Sequence, residues 1–262
     1  MKVLRCIVIA GVVSALGVSM LAFQGPMIEE EEAPSTIPGG SNPAEWTFAR
    51  FHYRMGNEYG FRGFQRWAAD YPKSDRQFEQ GVRRLTRLHT RRLEQVVDAD
   101  NDDLYNWPWI YMEDGGWWDL SETQAARLRQ YLLRGGFLYA DDSHGDAEWE
   151  TFARGMKMIF PDRPIEDLRD DDEIFHVFYD LDDRIQIPGT RYIWGGRRYT
   201  PDSAVPKWRG IRDDRGRIMV AITHNSDVGD AWEWADSPRY PEKDASLAYR
   251  IGINYIIYGM TH

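Results

Sequence analysis

Apolar residues recur along this chain at two spacings, and the two spacings alternate. In WTFARFHY, residues 46–53, Trp46 and Phe48 fall on one side and Phe51 and Tyr53 on the other. That pattern predicts a strand buried on both faces. Ser74 or Asp75 can cap a helix in which Phe78, Val82, Leu85 and Leu88 recur at helical spacing. PWIYM, 108–112, reads as a short buried strand. SETQAARLRQYLLR, 121–134, reads as a helix: Ser121 and Gln124 form a capping box, Leu128 and Leu132 face inward, and Gly135 ends it. GFLYA supplies the next strand. A helix over 146–159 follows, with Trp149, Phe152, Met156 and Ile159 on one face.

Strands alternating with helices predict an α/β fold, a mostly parallel sheet flanked by helices. IRDDRGRIMVAITH, 211–224, departs from the pattern. Asp214, Arg215 and Gly216 make a turn between two strands, which predicts an added antiparallel hairpin. A last helix near 245–259 packs through Leu247, Ile251, Tyr255 and Tyr258.

The N-terminus breaks this scheme. Lys2 and Arg5 precede a run without charge from Cys6 to Phe23. Residues 1–23 read as a signal peptide or an uncleaved membrane anchor. Either one predicts export, to the periplasm or outside the cell, with the anchored form tethered to the inner membrane. Residues 24–45, with four consecutive acids from Glu29 to Glu32 and then Pro, Gly and Ser, read as a linker. Residues 46–262 remain as a single α/β domain.

Composition narrows the function. The 262 residues carry a formal net charge of −10, which argues against nucleic acid as a partner. Cys6 is the only cysteine, so the body has no disulfide, no thiolate zinc site and no cysteine nucleophile. No phosphate-binding glycine loop marks a nucleotide or flavin cofactor.

Three polar clusters carry the candidate chemistry. Asp141, Asp142 and His144 follow GFLYA and precede a helix. Ligands of open α/β sheets bind beyond the carboxyl ends of the strands. The trio reads as a catalytic or divalent-metal site, or as a cluster that only caps its helix. His224, Asn225, Asp227 and Asp230 follow the second hairpin strand and read as ligand-binding residues; Trp232 and Trp234 offer a stacking face, with Trp232 expected to supply it. Asp70 and Arg76 stand between the first strand and helix, where Arg76 either clamps a carboxylate or pairs with Asp70 or Asp75. His52, His89 and His176 read as packed or surface residues.

The stretches GGFLYADDSHGDAEWETF, MIFPDRPI, IFHVFYDLDD, WRGIRDDRGRIMVAITHNSDVGDAWEW, PRYPEK and AYRIGINYIIYGMTH resemble a bacterial family called domain of unknown function 4159. The resemblance covers about residues 46–262. It implies a class I glutamine amidotransferase-like fold, a variant of the flavodoxin-like sheet. Members of that superfamily place a nucleophilic cysteine where this chain has Asp141 and Asp142, so glutaminase chemistry is not implied. Related trehalose-utilisation-like proteins, with a histidine near that turn, point to sugar-like ligands. The family's association with membrane-bound systems implies a second role, a non-catalytic module that binds a membrane-associated protein. The leading expectation is a polar, carbohydrate-like ligand bound with a divalent cation and open to hydrolysis.

Overall fold

The computed structural model describes residues 44–56 and 65–262. The leader expected at 1–23 and nearly all of the linker lie outside the described residues. Among the described residues, no helix is long and apolar enough to cross a membrane.

Seven strands form one sheet: β1 (Ala49–His52), β2 (Gln95–Asp98), β3 (Trp109–Met112), β4 (Phe137–Ser143), β5 (Glu166–Asp167), β6 (Lys207–Arg212) and β7 (Ile218–His224). Their order is β2-β1-β3-β4-β7-β6-β5. The first five in that order run parallel. The last two add antiparallel strands, and β6 and β7 make the expected hairpin, paired from Lys207–His224 to Arg212–Ile218. β2 is an addition to the expected set. It is an edge strand of four residues, QVVD, too short to show a periodicity of its own. Its presence puts β1 between β2 and β3, so the chain winds outward in both directions from β1. Such a reversal opens a crevice at the carboxyl ends of the strands.

The helices are α1 (Lys73–Leu85), α2 (Glu122–Leu133), α3 (Gly145–Ile159), α4 (Thr190–Trp194), α5 (Val228–Glu233) and α6 (Glu242–Thr261). Strand alternation sorts them into two layers. Trp109, Tyr111, Phe137 and Tyr139 pack with Phe78 and Val82 of α1, Trp232 of α5 and Ile251 of α6. Ile110, Met112, Leu138 and Ala140 point the other way, against Leu128 and Leu132 of α2 and Phe152, Met156 and Ile159 of α3. Both faces of the sheet are therefore dry, as the runs of apolar residues predict.

Local rules hold at the helix ends. Ser121 Oγ accepts from the Gln124 amide at 3.2 Å and Gln124 Oε1 accepts from the Ser121 amide at 3.0 Å, completing the capping box. Gly135, just past α2, has φ 109°. The start of α1 differs from expectation. Neither Ser74 nor Asp75 caps it; the helix begins at Lys73 after Pro72, and Asp75 is wholly buried as the partner of Arg50. Its end differs too: Thr86 closes the helix before Leu88, and Leu85 is exposed.

Candidate functional site

The non-glycine residues with positive φ among the described residues are Asp70 (61°), Asp114 (54°), Asp142 (56°) and Asn225 (64°). Asp70, Asp114 and Asn225 lie in the segments that leave β1, β3 and β7, and Asp142 lies within β4, next to its last residue. Asp and Asn tolerate this left-handed conformation better than other residues. The four turns bend the chain sharply at one end of the sheet. At β4 the turn interrupts the pairing with β7 between Ala140 and Ser143.

That interruption separates two adjacent acids. Asp141 points into the α1–α5–α6 layer. Its Oδ2 accepts from the amides of Val228 at 2.7 Å and Gly229 at 2.9 Å, and from Tyr111 Oη at 3.0 Å. Its Oδ1 accepts from Thr223 Oγ1. Asp141 therefore caps α5, not the helix that follows it, and its lone pairs are used. Asp142 caps no helix. It lines an open cleft of about 330 Å³ with Asp70, Asp114, His144, Glu148, Asp227, Asp230, Arg191, Tyr192 and Trp234.

The cleft is acidic and short of internal compensation. Asp142 Oδ1 lies 2.8 Å from His144 Nε2. Ligand atoms of Asp142, His144 and Asp227 all lie within 4.8 Å of one another; so do those of Asp70, Asp227 and Asp230, and those of Glu113, Asp141 and Asp227. Arg66 is bound to Asp114 at 2.9 Å. Arg50 is committed to Asp75 and stands 3.8 Å from Glu113. Among the described residues, no arginine or lysine lies within ion-pair distance of Asp70, Asp142, Asp227 or Asp230.

Burial and neighbouring acids set the protonation states. Burial raises the Asp142 carboxyl well above the usual range, and Asp114 and Glu113 add to it. Asp227 is raised by burial, then by Asp142 and Asp230. Asp70 is raised by burial, then by Asp230 and Glu233. Glu113 is raised by burial, then by Asp70 and Asp141. His144 is pushed the other way, down to about 4, by burial and then by Arg191 and His224. The imidazole is held neutral, the form that ligates a metal, while the crowded carboxyls would have to give up protons to a cation that binds there.

Glu113 is the sharpest sign that something belongs there. It is wholly buried, its Oε2 accepts from Tyr111 Oη, and its Oε1 has no partner. Gly229 makes room for it: a Cβ there would fall 2.6 Å from Glu113 Oε2 and 2.9 Å from Asp70 Oδ2. Arg50 shapes the β1 side. Its guanidinium holds the carbonyls of Trp67 and Ala69, each at 3.1 Å, which fixes the turn carrying Asp70.

This geometry is where the family match becomes informative. Residues 47–260 match the family described as domain of unknown function (DUF4159). The chain belongs to that family. Among curated proteins, none matches it. The cleft of this DUF4159 domain therefore has to be read from its own residues.

The structure brings the first two sequence clusters together at Asp142, His144, Asp227 and Asp230, and adds Asp70 from the third. The other candidates go elsewhere. His224 Nδ1 bonds Arg209 at 3.1 Å, and its ring stacks on Trp149 at 4.7 Å, away from the cleft lining. Asn225 joins loops, accepting from the Gly145 amide at 2.9 Å and donating to the Val205 carbonyl at 2.8 Å. Arg76 pairs with neither Asp70 nor Asp75 but with Glu94, Nε to Oε2 at 3.0 Å. Trp232 is wholly buried and stacks on Phe78 at 3.9 Å, so it offers no surface to a ligand. Trp234 lines the cleft in its place and meets the exposed Trp194 edge-on at 4.9 Å.

Sequence reading missed Glu113 and Asp114. Their signal was present: PWIYMED, like FLYADD, ends a buried run in two acids. Thr190, Arg191 and Tyr192 were missed as well. They belong to α4, a helix of five residues between β5 and β6 that is too short to show a periodicity of its own.

Proposed function

We propose that the cleft binds a hydroxyl-rich, carbohydrate-like ligand over a divalent cation and that the site is hydrolytic. The observation that carries this reading is Asp227. Its ligand atom lies within 4.8 Å of those of Asp142 and His144, and among the described residues no arginine or lysine forms an ion pair with Asp227 itself. A bound cation would lower the pKa of the water it carries and so supply a nucleophile near neutral pH. Asp142, His144 and Asp227 would hold it, and Glu148, which lines the cleft and accepts from the His144 amide through Oε2 at 2.6 Å, would take up the proton. Trp234, with Trp194 beside it, offers the aromatic face that sugars favour. The leader read from the sequence would put this chemistry outside the cytoplasm.

Thermal melts of the purified protein with Mg²⁺, Ca²⁺, Mn²⁺ or Zn²⁺, alone and with a panel of sugars, test the reading. At a hundred times the Kd, a cation that binds only the folded state adds about 2.7 kcal/mol. A clear rise in Tm is expected with at least one ion and is expected to vanish in Asp227→Asn. Absence of any shift would overturn the proposal.

A further inference from the structure

We infer that the cleft holds two divalent cations, with Asp227 as the carboxylate they share. The inference rests on the cation reading above and sharpens it. Two triads share Asp227. Asp142 and His144, from the end of β4, form one with it; Asp70, after β1, and Asp230, in α5, form the other.

The triads differ in chemistry. The β4 side offers an imidazole nitrogen and two carboxylates, a set that suits Zn²⁺, Mn²⁺ or Fe²⁺. The β1 side offers carboxylates alone, which suits Mg²⁺, Mn²⁺ or Ca²⁺. Hydrogen bonds aim the remaining oxygens. Asp227 Oδ1 accepts from the Asp230 amide at 2.8 Å, which leaves Oδ2 and the second lone pair of Oδ1 for the two cations. Asp230 Oδ2 accepts from the amide and hydroxyl of Thr190 at 2.7 and 2.9 Å, leaving Oδ1. Gly189 keeps the space open: a Cβ there would lie 2.4 Å from Asp227 Oδ2.

Glu113 supplies the independent sign. Its unpartnered oxygen is wholly buried, and its carboxylate groups with Asp227 and the saturated Asp141 rather than with His144. A cation at the β4 position alone leaves Asp70 and Asp230 without a cation beside them, and Glu113 with Arg50 only, at 3.8 Å and on the oxygen that Tyr111 already uses. Paired ions about 3.5–4 Å apart, bridged by one carboxylate, are a recurrent arrangement for displacement with water as nucleophile.

The test is Mn²⁺ stoichiometry and electron paramagnetic resonance on the full-length chain after equilibrium dialysis against Mn²⁺. Two Mn²⁺ per chain with a spin-coupled signal are expected. His144→Ala and Asp70→Asn should each retain about one ion and lose the coupling; circular dichroism melts confirm that both variants fold. One uncoupled ion in the unaltered protein would overturn the paired site and leave the single-cation reading standing. No bound ion would overturn both. Two ions that persist in both variants would place the pair elsewhere and also overturn the inference.

Discussion

The carboxylate of Asp141 holds the amide of Gly229 at 2.9 Å, joining the end of β4 to the start of α5. Val228, Tyr111 and Thr223 donate to the same group. Its removal strands several buried donors at once. Asp141→Ala is expected to destabilise the domain by about 3 kcal/mol. Urea unfolding measures this, and a loss below about 1 kcal/mol would show that Asp141 is not an anchor.

Asp142 should behave in the opposite way. Its carboxyl is disfavoured as an anion and caps nothing. Asp142→Asn is expected to leave the metal-free Tm unchanged or higher, while the Tm gain on adding a divalent cation disappears. A variant that melts lower yet keeps the full gain would contradict this assignment.

The buried acids also predict a pH dependence. Asp114 and Glu233 are raised to about 7, chiefly by burial, and Asp70, Glu113, Asp142 and Asp227 are raised well above the ordinary range. In the unfolded chain such groups titrate near about 4. The folded state therefore holds these protons more tightly, and the stability they contribute is lost as pH rises through their folded values. His144 and His224 oppose this at lower pH. Burial lowers both to about 4, so they cost stability as pH falls below about 6.5. Above about pH 6.5 the acids act alone. The metal-free protein should melt progressively lower from pH 6.5 to pH 8, and a saturating divalent cation should flatten the decline. A metal-free Tm that rises over that interval would refute the argument.

The two tryptophans of α5 and its C-terminal end separate packing from binding. Trp232 lies flat on Phe78 inside the core, and Trp232→Ala is expected to cost about 3–5 kcal/mol. Trp234→Ala should cost less than about 1 kcal/mol. It should weaken a bound sugar by about three- to tenfold in a calorimetric titration. Equal stability losses in the two variants would undo the distinction.

The fold was largely legible because both faces of the sheet are buried, and burial writes long apolar runs into the sequence. β2 was not legible, since its four residues include only two valines. Half of the site was legible. Asp142, His144, Asp227 and Asp230 stand directly after apolar strands, where a parallel sheet opens. Trp232 was misjudged because residues two apart on a helix face nearly opposite ways. The expected stacking residue, Trp232, is the one of the pair that points into the core. Arg191 and Tyr192 reach the cleft from α4, whose five residues are too few to write a periodicity into the sequence.

The turns at Asp70, Asp114, Asp142 and Asn225 use a backbone conformation that glycine enters with less strain. Glycine could therefore replace Asp70, Asp114 or Asp142 with its turn kept and its functional group erased, whereas the Asn225 side chain also ties its loop to Gly145 and Val205. The rim of the sheet thus behaves as a set of sockets, in which backbone shape and chemical content can be exchanged separately. A version with glycine at Asp70, Asp114 and Asp142 would be a blank mount, ready to receive other donor groups without a redesign of the sheet beneath.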